Sequence, residues 1–203
     1  MGTTRADGER FHAESADEWA AWLDRNQSRT HGVWLVTWRA RSGQPALGYE
    51  DAVIEALRFG WIDSTGGAVD DDRTELWFAP RKRGSGWART NKRRIERLEQ
   101  DGRLEASGRR VIEAAKADGS WTLLDDVEDL LVPDDLSDAF ELFPGSRTQW
   151  DAFPPSARRA ILGWIVQAKR PETRARRIEE TARLAQDGKR ANEWIPRDKR
   201  AAP

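Results

Sequence analysis

The chain has 203 residues, with 34 Lys and Arg against 35 Asp and Glu, for a formal net charge of -1. That balance argues against a generally basic nucleic-acid coat or a polybasic membrane binder. The absence of cysteine excludes disulfides, thiolate catalysis and cysteine-ligated zinc, and with His12 and His31 as the only imidazoles no metal site and no cofactor is expected. Apolar residues make up 38%, but eleven Trp and six Phe concentrate enough apolar area for a real core.

Ser15-Ala16-Asp17-Glu18 has the form of a capping box ahead of Trp19, Trp22 and Leu23 at helical spacing, which predicts a helix start. Val33 to Trp38 is β-branched and aromatic and reads as a strand. Tyr49 to Phe59 places Ala52, Val53, Ala56 and Leu57 on one helical stripe, with Gly60 as the stop. Trp61-Ile62-Asp63 and Thr74 to Ala79 flank Gly66-Gly67 and Asp70-Asp71-Asp72, the composition of a turn between paired strands, and Pro80 closes the second strand. The remainder reads as helices: one from Thr90 or Asn91 to Gln100, one from Gly108 to Ala117, then starts at Pro133, Pro144, Pro154-Pro155 and Pro171.

Strands first and helices afterwards predict an α+β fold, a small antiparallel sheet with N-terminal helices followed by a mostly helical C-terminal lobe. The expected division is an α+β domain over 11–119, a linker over 120–133, a helical lobe over 134–190, and flexible ends at 1–10 and 195–203. No apolar run approaches the ~20 residues that a membrane span needs, so no membrane insertion is expected. The polar start Met1-Gly2-Thr3-Thr4-Arg5-Ala6-Asp7 lacks the apolar stretch of a secretory signal, which makes the cytoplasm the expected location.

The most informative stretch runs from Pro80 to Arg94, with seven cations and no acid. Gly84, Ser85 and Gly86 lead into a helix, so backbone amides, a hydroxyl and guanidinium groups can converge on one anion. Arg81, Lys82, Ser85 and Asn91 are the candidate binders there, with Trp61 or Trp87 as a wall. The plainer alternative is a solvated basic loop with Trp87 plugging the core. Asp63, in an otherwise apolar segment, is either a weak candidate acid or base or a structural carboxylate, with Arg81 across the hairpin as its expected partner. A third stretch, Trp164 to Arg177, breaks at Pro171. It offers Lys169 at a helix end, Thr173 in the next first turn, and Arg174 and Arg177 at i, i+3, for an anion or for a structural corner packed on Trp.

Several of these segments resemble the YdeI/OmpD-associated family, also described as bacteriocin-protection proteins. The likeness rests on Glu55 to Ser64, on Phe78-Ala79-Pro80-Arg81-Lys82 with Ser85, Trp87 and Asn91, and on Ala115-Lys116 through Gly119-Ser120-Trp121. Phe153 with Ser156, and Ala168-Lys169 through Glu172-Thr173-Arg174 to Arg177, complete it from about Phe11 to Gly188. The resemblance implies a link to envelope stress or antimicrobial-peptide resistance and supplies no catalytic residues. Three function classes stay open: a protein binding a small anionic or phosphorylated ligand, which leads; an enzyme using Asp63; and a nucleic-acid module, which the charge balance disfavours.

Overall fold

The computed structural model describes residues 8–193. The chain divides into two compact units, residues 1–121 and 122–203. The expected flexible ends lie outside the described residues, except that Gly8 to Arg10 are described and Arg10 begins a strand.

In the first unit the order is β1 (Arg10–His12), α1 (Ala16–Arg25), β2 (Val33–Trp38), α2 (Tyr49–Arg58), β3 (Trp61–Ala68), β4 (Arg73–Pro80), α3 (Arg89–Gln100) and α4 (Ala106–Ala117). The sheet order is β1-β2-β4-β3. β2–β4 and β3–β4 are antiparallel as expected, but β1 pairs parallel to β2, so the sheet is mixed. At three residues, β1 is too short to display the alternation that reveals a strand in sequence.

The local signals explain the element ends. The Ser15 hydroxyl accepts from the Glu18 amide, while the Glu18 carboxylate accepts from the amide of Glu14. Gly60 adopts a φ of 82°, the left-handed geometry that lets the chain leave α2 and enter β3 directly. β3 runs farther than expected, through Gly66 and Gly67 to Ala68, with a register shift between Asp63 and Gly66. The turn is confined to the Asp cluster, where Asp70 accepts from the amides of Asp72 and Arg73 and pairs with the Arg73 guanidinium.

Trp19, Trp22, Trp61 and Phe78 meet in the core of this unit, and the Trp19 indole donates to the Ala52 carbonyl at 3.0 Å. Glu55 is buried on α2, where Arg58 and Arg103 both donate to it and Arg58 also reaches Glu105.

The second unit contains α5 (Asp125–Glu128), α6 (Asp134–Leu142), α7 (Ser146–Ala152), α8 (Pro155–Val166) and α9 (Pro171–Gln186). Pro133 caps α6, while Pro155 and Pro171 occupy first turns, where a missing amide costs nothing. α9 packs against α6, α7 and α8 around Leu136, Trp150, Ile161 and Ala182. The stretch expected as a linker, 120–133, holds α5, whose Val127 is buried in this second core.

Candidate functional site

Within the first unit a cavity of about 260 Å³ lies where the end of β4, the following loop and α4 meet. Trp61 and Trp87, each 1% exposed, supply indole walls. Close approach of α4 to α2 frames it: a side chain on Gly108 would place its Cβ 2.3 Å from the Arg58 carbonyl oxygen, so only glycine fits. The Arg81 amide donates to the Gly60 carbonyl at 3.0 Å, fixing the first residue of the loop beside the end of α2.

Arg81 is half-buried and lines this cavity. Its guanidinium lies 3.7 Å from the centroid of the Trp87 ring and donates to the carbonyls of Ser85 and Gly86. Its Nε is shut away from solvent without a partner, and among the described residues no carboxylate pairs with it. Burial pulls the guanidinium down to about 10, and it therefore remains charged at neutral pH. Carbonyl oxygens and an indole face supply partial negative charge only, so the cation is desolvated without being neutralised.

Around it stand Lys82, Arg83 and Arg110 against one acid, Asp118. Arg83 lies 3.4 Å from Asp118. Ser120, whose amide donates to it at 3.0 Å, and Arg83 hold the Asp118 carboxyl below the usual carboxylate range. Among the described residues Lys82 and Arg110 have no carboxylate partner. Ser85 also lines the cavity, as does Ser107, which is 7% exposed and whose hydroxyl has no hydrogen-bond partner among the described residues. Ser107 sits in the first turn of α4, where the helix dipole favours negative charge.

Of the residues singled out in the sequence, Trp61, Arg81, Lys82, Ser85 and Trp87 thus share one cavity. Asn91 does not line it; its side chain accepts from Arg94 at 2.6 Å, one turn along α3. Asp63 is not Arg81's partner: Tyr49 donates to it at 3.0 Å, and Arg81 is turned to its own loop instead.

Lys169, Thr173, Arg174 and Arg177 belong to the second unit. Arg174 is paired with Asp135 through bonds of 2.7 and 2.9 Å, while Arg177 stacks over Trp164 and donates to its carbonyl. Lys169 is exposed and Thr173 half-buried. Arg83, Arg110 and Ser107 were not singled out. A signal for Ser107 was present: it falls on the apolar stripe of Leu104, Gly108, Val111, Ile112 and Ala115 at helical spacing, where a hydroxyl needs a reason.

Comparison with known families divides the chain in the same two parts. The model of a domain of unknown function, DUF8412, matches residues 11–111, which contain Glu55 to Ser64 and the Pro80 to Asn91 segment. The model described as Bacteriocin-protection, YdeI or OmpD-Associated matches residues 129–188, which contain Phe153, Ser156 and the Ala168 to Arg177 segment. Neither the curated proteins nor the solved structures gave a match. The family likeness drawn across residues 11 to 188 is therefore supported over its C-terminal part, residues 129–188, while residues 11–111 match a different family of unknown function.

Proposed function

We propose that the first unit binds a small anionic or phosphorylated ligand in the cavity built on Arg81 and Trp87. The observation that carries this reading is a half-buried guanidinium with no carboxylate partner among the described residues, lining a cavity with three further cations and one acid. A bound anion supplies the counter-charge that the fold leaves out, and the unpartnered Ser107 hydroxyl supplies a donor beside it. The cytoplasmic setting and a part in envelope stress or antimicrobial-peptide resistance complete the proposal.

Calorimetric titration with inorganic phosphate, pyrophosphate, sulfate and small carboxylates tests it. Binding by at least one of them, weakened about tenfold or more by Arg81→Gln or by Ser107→Ala, is expected from the loss of a charged or a neutral hydrogen bond. No binding by any of the four, or binding indifferent to both substitutions, removes the reading. Steep loss of affinity for single-stranded DNA with salt, together with no affinity for the small anions, would favour the nucleic-acid alternative instead. An acid–base role for Asp63 has less support, since its carboxylate is engaged by the Tyr49 hydroxyl and does not line this cavity.

A further inference from the structure

The second unit holds a larger groove of about 580 Å³, lined by α5 and α8 together with Arg177 of α9 and Asn192. From α8 it takes Ala160, Gly163 and Trp164 and from its C-cap Gln167, which recur at i, i+3, i+4 and i+7 and therefore share one face. Gly163 is not demanded by packing. A Cβ there would meet only Val127 at 3.8 Å and the Gln167 carboxamide at 3.9 Å, both ordinary contacts. Its bare backbone leaves room above the helix.

Arg177 repeats, on different residues, the arrangement of Arg81. Its guanidinium lies 4.7 Å over the Trp164 ring and donates to the Trp164 main-chain carbonyl. Its Nε is sealed from solvent without a partner, and among the described residues no carboxylate pairs with it. The groove thus carries a cation whose position is fixed by an indole and a carbonyl but whose charge is not neutralised.

The remaining polar groups narrow the ligand further. Gln167 and Asn192 line the groove with carboxamides that form no side-chain hydrogen bond among the described residues. Each offers donors and an acceptor together, the complement of a hydroxyl, which is itself donor and acceptor. Asn192 holds a φ of 54°, a left-handed geometry that asparagine tolerates. Glu128, 3.8 Å from Arg159, is the acid of the groove; it can accept from a hydroxyl and repels a bare polyanion. Apolar surface from Leu124, Val127 and the Trp164 ring suits a carbon skeleton.

We infer that this groove binds a sugar-sized polyhydroxylated anion, a sugar acid or a sugar phosphate, with its charge on Arg177 and its hydroxyls on Gln167, Asn192 and Glu128. The site is separate from the Arg81 cavity and does not rest on it.

The intact chain carrying Arg81→Gln, which disables the first cavity, is titrated calorimetrically with glucose 6-phosphate, glucuronate, neutral glucose and inorganic phosphate. One or both charged sugars are expected to bind, with glucose and phosphate each weaker by about tenfold or more, the equivalent of roughly 1.4 kcal/mol. Gln167→Ala and Asn192→Ala alter exposed residues and should leave the fold intact while each weakens the charged sugar several-fold. Binding that persists in the absence of the Arg81 guanidinium separates this site from the first. The inference is overturned if neither charged sugar binds or if phosphate binds as tightly as glucose 6-phosphate. It is overturned equally if both carboxamide variants bind normally.

Discussion

The Arg81 guanidinium lies 3.7 Å from the centroid of the Trp87 ring and, in the same pose, donates to the carbonyl of Gly86, the residue before that tryptophan. One side chain therefore closes its own loop and holds a positive charge at the wall of the cavity. Trp87 in turn meets Trp121 at 5.0 Å, which ties the loop to the chain beyond α4.

The charge on Arg81 sets a pH dependence for anion binding. Its guanidinium is pulled down to about 10 by burial, so the group is fully charged across neutral pH and loses its proton as pH rises through that value. Affinity for the small anion should hold up to about pH 9 and fall above it. The decline should disappear from the residual binding of Arg81→Gln, measured by titration at a series of pH values.

Gly108→Ala should destabilise the protein although alanine is the better helix former by about 1 kcal/mol. The added methyl would meet the Arg58 carbonyl oxygen at 2.3 Å and the Leu104 side chain at 3.0 Å, and backbone cannot step aside as a flexible side chain can. A net loss of about 2 kcal/mol is expected in urea unfolding, typical of overpacking.

The buried carboxylate of Glu55 depends unequally on its two arginines. Arg58 bonds both Glu55 and Glu105, whereas the Arg103 side chain is 46% exposed. Arg58→Met should cost about 3 kcal/mol, because it leaves a buried charge underpaired. Arg103→Met should cost about 1 kcal/mol or less, as for a pair open to water. Equal losses in the two variants would contradict this ranking.

Asp63→Asn should be mild, lowering stability by no more than about 1 kcal/mol, since the Tyr49–Asp63 bond is exposed. Its signature is elsewhere. Burial, then the hydrogen bond to Asp63, raise the Tyr49 hydroxyl above its ordinary value of 10.0. Removing the carboxylate charge should bring it back toward that value. Tyr49 is the single tyrosine of the chain, so an ultraviolet titration reads it directly.

Much of this fold could be read from local signals. Ser15, Gly60, Pro133, Pro155 and Pro171 act through their own backbone chemistry, which neighbours in sequence suffice to express. β1 could not be read, because a three-residue strand gains its identity only from its partner, here the parallel β2. The reach of β3 through Gly66 and Gly67 was hidden for a related reason: pairing with β4 overrides the turn preference of two glycines.

The sequence by itself determined the α+β class, the helix starts and stops, and the cluster of charge between Pro80 and Arg94. Tertiary structure alone decided which charges, there and in the Trp164 to Arg177 stretch, are spent inside the protein. Arg174 and Arg94 find carboxylates, on Asp135 and Glu50. Arg81 and Arg177 find an indole and main-chain carbonyls. The reason is that neutralisation of a charge depends on groups within a few ångströms in space, whose places along the chain are set by packing and not by spacing.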